Sequence, residues 1–155
     1  MVVKVVVLAL SKSGENTARS ISKKFDVPLH GRIDRVENAD IYFGNSLEHI
    51  RDLFLAGYSI VGVCASGILI RAVAPFISDK KTDPPLVSVA EDGSVVVPLL
   101  GGHYGANRLA KDIAKIVNGV AAVTTAGDIA LGVALDDPPI GYFLQNRSDA
   151  KDVMM

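Results

Sequence analysis

The stretch Gly101-Gly102-His103-Tyr104-Gly105-Ala106-Asn107 holds the residue types best able to do chemistry. A neutral imidazole can serve as a general base near pH 7, and paired glycines let a ligand approach the backbone closely. His103 could equally cap the helix that follows it. Asn107 lies four residues on, one helical turn away. Its amide could orient a substrate amide or carboxylate, or bond to nearby backbone.

A second group is basic. Arg71 stands in the apolar run SGILIRAVAPFI. There it is either a surface arginine with an apolar stem or a bidentate grip for a carboxylate. Asp79-Lys80-Lys81-Thr82-Asp83-Pro84 follows, a solvated loop that could join Arg71 in binding several carboxylates. Two more small-residue turns, Ser11-Lys12-Ser13-Gly14 and Ser66-Gly67, precede helical segments. Helix starts favour an anion through their unpaired N–H groups and the dipole. None of these turns has the spacing of a dinucleotide or P-loop fingerprint. His30, His49 and His103 lack metal-ligand spacing and Cys64 has no partner cysteine, so no metal site is expected. A Ser66, His103 and Asp128 triad can be drawn, but many chains of this size allow such a drawing.

The elements that must position these groups alternate. Val2–Leu10 is apolar and β-branched, as in a strand covered on both faces. Glu15–Phe25 has helical spacing through Ala18, Ile21 and Phe25. Ile41–Phe43 reads as a short strand or loop. Ser46 is read as the N-cap of a helix ending near Gly57. Tyr58–Ala65 is a second buried strand, with Ser66-Gly67 as its exit turn and a helix over Ile68–Phe76. Leu86–Ala90 and Ser94–Pro98 flank Glu91-Asp92-Gly93, a strong hairpin signal. Tyr104–Val117 is a helix and Val120–Val123 a strand. The sum is an α/β protein: an open, mostly parallel, Rossmann-like sheet with helices on both faces and one inserted β-hairpin. All three glycine turns are expected beyond the carboxyl ends of the strands, where such sheets bind ligands. The domain is expected over 1–123, with 124–155 a C-terminal extension or the start of a second domain.

The 155 residues include 49% hydrophobic and 21% charged, with 16 basic and 17 acidic side chains. This balance argues against a nucleic-acid binder, and any anion site must be a local cluster. One cysteine excludes an internal disulfide. The amino-terminal apolar stretch is interrupted by Lys4 and is better read as a strand than a signal peptide. No apolar run reaches the ~20 residues of a membrane helix, so a cytoplasmic location is expected. Composition leaves a homodimer open.

Four motifs carry a resemblance: Ala65 to Pro75, Asp79 to Pro84, Leu100 to Ala110 and Thr124 to Asp128. In order and spacing they resemble the CbiG family, the cobalt-precorrin-5A hydrolases of anaerobic cobalamin synthesis. The likeness is specific over residues 60–128. It implies opening of the δ-lactone of cobalt-precorrin-5A with release of acetaldehyde. The substrate it implies is a cobalt-precorrin tetrapyrrole bearing many carboxylates, with no cofactor and cobalt present only in that substrate. On this reading His103 and Asn107 are the catalytic residues. Ser66, Gly67, Arg71, Lys80, Lys81, Asp83, Gly101, Gly102, Gly105, Thr125 and Asp128 bind substrate, the glycine N–H groups facing a developing oxyanion. Complete family members are longer. PLLGGHYGAN and GDIALGVALDDPPIGY also resemble modules joined to a precorrin-3B methyltransferase, which would make the chain a non-catalytic corrinoid-binding module.

Overall fold

The structure, a computed structural model, describes residues 4–125, 141–143 and 145. The chain parts into two compact units, Met1–Ala122 and Val123–Met155. The architecture that follows is that of the first.

Seven strands form one sheet in the order β3-β2-β1-β4-β5-β6-β7. The strands are β1 Val5–Ala9, β2 Leu29–Arg32, β3 Ile41–Phe43, β4 Ser59–Val63, β5 Leu86–Val89, β6 Val95–Leu100 and β7 Val120–Ala121. The helices are α1 Lys12–Phe25, α2 Ser46–Leu55, α3 Ser66–Val73 and α4 Ala106–Val117, with short 3-10 turns at Ala74–Phe76 and Gly102–Tyr104. The expected α/β class, the mostly parallel sheet and the inserted hairpin are all present.

Strand alternation builds the two cores. In β1, Val7 and Ala9 face one side and Val6 and Leu8 the other, as a period of two requires. The first side packs Ala18 and Ile21 of α1 with Ala106, Ala110 and Ile113 of α4. The second packs Ile50 and Phe54 of α2 with Leu69, Ala72 and Val73 of α3. Helices therefore cover both faces. That is why β1 and β4 read as continuous apolar runs rather than alternating ones.

Element ends differ from the sequence reading for local reasons. α1 begins at Lys12, because Ser11, in extended backbone, accepts the Gly14 N–H at 3.3 Å. α2 is capped by Asn45, whose side chain accepts the Leu47 and Glu48 N–H groups; Ser46 is already its first residue. Ser66-Gly67 is the opening turn of α3 rather than a loop before it, and Ala74-Pro75-Phe76 tightens into a 3-10 turn.

One topological fact decides where the motif turns fall. β1 to β5 are parallel, but β6 pairs antiparallel to β5, with Val89 opposite Val96 and Leu86 opposite Leu100. The register slips between Leu86 and Val87, leaving Leu99 as the extra residue beside Pro98, which has no N–H for the ladder. The hairpin thus returns the chain to the amino-end rim of the parallel strands before it reaches Gly101.

Candidate functional site

The three glycine-bearing turns do not share a rim. Ser11–Gly14 and Ser66-Gly67 follow the parallel strands β1 and β4 and lie at the carboxyl-end rim. Gly101–Gly105 follows β6, and because β6 runs backwards it lies at the amino-end rim, beside the start of β5. The expectation of one common rim is corrected here. The reversal comes from the same hairpin that the sequence makes legible.

At the amino-end rim, two loops are locked together. Gly101 adopts a left-handed conformation (φ 76°, ψ 30°), and a Cβ there would sit 2.7 Å from Pro85 Cα and 2.8 Å from Pro85 N. Only glycine allows this approach. A 3-10 turn follows over Gly102–Tyr104, and left-handed Gly105 (φ 95°) leads into α4. The His103 backbone belongs to this turn, and its side chain lies outside the described residues. Asn107 is buried in the first turn of α4 beneath Gly102, whose Cβ position is 3.7 Å from Asn107 Nδ2.

Facing this turn across Pro84-Pro85 is the loop 77–83. Its organiser is Asp83, a buried carboxylate that accepts from the Ser78 N–H at 3.2 Å and from the Ser78 hydroxyl at 3.2 Å. Asp79 accepts the Lys81 N–H at 2.9 Å. The side chains of Lys80 and Lys81 stand exposed on the loop so formed. Burial of Asp83 explains how so polar a segment keeps one shape: its carboxylate supplies the acceptors that the turn backbone needs.

Arg71 lies in the last turn of α3 and is exposed; its Nη1 folds back to donate to Gly67 O at 3.3 Å. Ile70, Phe76 and Ile77 are exposed on the same stretch, and Tyr104 is exposed on the glycine turn. Thr125 is exposed, and Asp128 lies outside the described residues, as does most of the 124–155 segment.

The carboxyl-end rim carries a polar cluster not singled out in the sequence. Glu91, at the hairpin tip, accepts from Ser11 Oγ and Ser13 Oγ, each at 2.5 Å, and its carbonyl accepts from Thr17 Oγ1 at 2.7 Å. The hydroxyls of Ser11 and then Ser13 hold the Glu91 carboxyl below the usual range. Glu15 is buried and accepts the Glu37 N–H at 2.8 Å and both N–H groups of Asn38, pinning the 33–40 loop to α1. Two clefts open here. One of about 540 Å³ is lined by Ser11, Lys12 and residues 34–37; one of about 560 Å³ is lined by Cys64, Ser66, Ser88, Glu91 and Asp92 among others. Cys64 is no nucleophile at neutral pH, since burial pushes its thiol up to about 12. Among the described residues, no group of three His, Cys, Asp or Glu side chains could hold a metal ion. No helix among them is long and apolar enough to cross a membrane.

A doubly wound sheet with a strand-order reversal at β1/β4 and two motif loops locked at one rim defines a Rossmann-like α/β domain. The chain belongs to the cobalamin synthesis G N-terminal family, whose model matches residues 48–128. It is 28% identical over 138 residues to a cobalt-precorrin-5A hydrolase of Priestia megaterium, covering 84% of this chain and 37% of that protein. It is 37% identical over 87 residues to the cobalt-precorrin-5A hydrolase of Salmonella typhimurium, covering 56% of this chain and 25% of that protein. The solved structure of a cobalamin biosynthesis protein G homolog from Sulfolobus solfataricus shares the fold, with a TM-score of 0.59 and 23% identity over 78% of this chain and 36% of that one. The chain thus spans 25–37% of the length of these relatives.

Proposed function

We infer that this chain is the tetrapyrrole-handling amino-terminal part of a cobalt-precorrin-5A hydrolase. The observation that carries the reading is the seating of Gly101 against Pro84-Pro85, which joins the GGHYG turn to the DKKTDPP loop at one rim. Both segments fall inside the family match. Exposed apolar side chains and lysines on and beside these segments suit a flat macrocycle rimmed by carboxylates: Phe76, Ile77 and Tyr104 for the ring, Lys80 and Lys81 for its acids.

In this reading His103 activates water for opening of the δ-lactone, and the N–H groups from Gly101 to Gly105 stabilise the oxyanion that develops. Loss of acetaldehyde then leaves cobalt-precorrin-5B. Asn107, held beneath Gly102, keeps the turn in shape and orients the substrate. Ser66 and Gly67 lie at the opposite rim and Arg71 turns its guanidinium to the Gly67 carbonyl, so these three residues stand outside this site. The protein supplies no cofactor of its own; cobalt arrives within the substrate. The reaction is placed in the cytoplasm.

Incubation of the pure chain with cobalt-precorrin-5A and assay of acetaldehyde tests this directly, with His103→Ala expected to lose at least a hundredfold in turnover. An unchanged rate in that variant removes the base assignment. A second reading rests on the likeness of PLLGGHYGAN and GDIALGVALDDPPIGY to methyltransferase-associated modules: a corrinoid-binding module working beside a precorrin-3B methyltransferase. Tight corrinoid binding with no acetaldehyde is its signature.

A further inference from the structure

The amino-end rim extends beyond the two motif loops locked there. β1, β4 and β5 run parallel, so the residue ahead of each strand stands at that rim: Lys4 before Val5, Tyr58 before Ser59 and Pro85 before Leu86. Backbone bonds tie these positions together. The Ser59 N–H donates to the Lys4 carbonyl at 2.9 Å, and the Ile60 N–H donates to the Pro85 carbonyl at 2.8 Å. Pro85 in turn receives Gly101. Adjacent strands are about 4.8 Å apart, so Lys4 stands two strands, roughly 10 Å, from Pro85.

Side-chain alternation puts Lys4 and Tyr58 on one face of the sheet. Lys4 shares the parity of Val6 and Leu8, and Tyr58 that of Ile60, all of the core covered by α2 and α3. Because α3 covers this face and starts at the carboxyl-end rim, it delivers exposed Phe76 and Ile77, and the lysine loop after them, to the amino-end rim. Tyr58 is partly buried against the same core, and Lys4 Nζ stands over its ring, 5.7 Å from the centroid. A cation on an aromatic face is held by the ring quadrupole while its N–H groups stay open to a further acceptor. Among the described residues, Lys12, Arg19, Arg51 and Lys115 each hold a carboxylate, whereas Lys4, Lys80 and Lys81 hold none. Lys4 also lies outside residues 48–128, so the family match does not reach it.

We propose that Lys4, steadied over Tyr58, is a further carboxylate-binding residue of the tetrapyrrole site, and that Tyr58 adds to the apolar surface of Phe76 and Ile77. The inference rests on the reading of this rim as the tetrapyrrole site. It widens that site from β5 to β1, so that acids on two sides of a macrocycle meet cations: Lys80 and Lys81 on one side, Lys4 on the other.

The test titrates the whole chain with cobyrinic acid, a cobalt corrin with free peripheral carboxylates, and with its fully methylated ester, which keeps the ring and loses the charges. Lys4→Gln should weaken binding of the acid by about two- to fivefold, reduce its salt dependence and leave the ester unchanged. Lys4→Arg should restore the acid, since a guanidinium also stacks on an aromatic face. A merely structural role for the pair would move acid and ester alike. Wild-type affinity for the acid in Lys4→Gln, or an equal loss for both probes, overturns the proposal. If Lys80→Ala and Lys81→Ala still weaken the acid in that case, the reading of the rim as the tetrapyrrole site survives. Absence of binding of either probe to the wild-type chain removes that reading and this inference together.

Discussion

His30 Nδ1 and His49 Nε2 lie 2.9 Å apart, one ring on β2 and the other on α2, and the His49 ring stacks on Phe43 at 4.3 Å between centroids. Such a bond needs one ring nitrogen to donate and the other to accept, so the two rings cannot both be protonated while it is formed. Burial pushes the His30 imidazole down to about 4, with the neighbouring His49 adding to the effect and Asp40 opposing it. His49 is lowered too, by burial, against Asp52.

The sign of the pH effect follows. Below its ordinary value of 6.5 the unfolded chain binds a proton at His30 that the folded chain refuses. Stability is therefore full above about pH 7 and falls as pH drops from about 6.5 toward 4, by on the order of 2–3 kcal/mol. Urea denaturation at pH 7.5 and pH 5 should differ by about 1–2 kcal/mol, and His49→Phe with His30→Leu should reduce that by more than half. A double variant with the wild-type slope would place the acid sensitivity elsewhere.

Gly101 and Gly57 make a matched pair. Both have positive φ, 76° and 79°, but a Cβ at Gly57 would meet open space while one at Gly101 would strike the Pro85 backbone. Gly57→Ala should cost about 1 kcal/mol, the left-handed penalty alone. Gly101→Ala should cost about 3 kcal/mol or more, since the 84–85 backbone must also move. Equal costs measured by denaturant unfolding would mean the two loops are not locked together.

Asp83 ties the lysine loop to itself through Ser78. Asp83→Ala removes the acceptor of the Ser78 N–H and hydroxyl and should destabilise the domain by about 0.5–1.5 kcal/mol. Asp83→Asn keeps one acceptor and should fall between. If the loop presents Lys80 and Lys81 to a substrate, corrinoid affinity should drop in the same order. Affinity unchanged in a folded Asp83→Ala variant would dissociate this loop from binding.

Exposed lysines gripping carboxylates give a salt-sensitive complex. Raising ionic strength from 50 to 500 mM should weaken binding of a polycarboxylate corrinoid. Lys80→Ala and Lys81→Ala should each cost about two- to fivefold. Binding insensitive to salt would mean that Phe76, Ile77 and Tyr104 dominate through apolar contact with the ring.

Much of the fold is readable from local pattern. Val5–Ala9 and Ser59–Val63 are apolar on both faces because both faces are covered, and that property is written in the run itself. Asp92-Gly93 declares its hairpin, and Leu109, Ile113, Ile116 and Val117 give the helical spacing of α4, with Ile113 buried and the other three packed against the same core as Ala106 and Ala110. β2 escaped because Leu29–Arg32 is four residues with a glycine and two polar side chains. Gly31 is there for the close approach of Val36 and Ala39, whose side chains would lie 2.5–2.9 Å from a Cβ. The candidate residues of the amino-end rim were visible as motifs, but their rim was not.

The sequence by itself determined the α/β class, the buried strands, the hairpin and the segments rich in chemistry, because each depends on neighbours within about ten residues. Only the tertiary structure decided that the hairpin turns Gly101–Gly105 to the rim opposite Ser66, that Asp83 serves Ser78, and that Glu91 meets Ser11 and His30 meets His49. Asp83 and Ser78 are only five residues apart, but the other pairings join groups distant along the chain. Sheet order and helix packing bring these polar atoms together, and where they are buried, as at Asp83 and His30, an unpaired donor or acceptor is costly, a condition that no local spacing encodes.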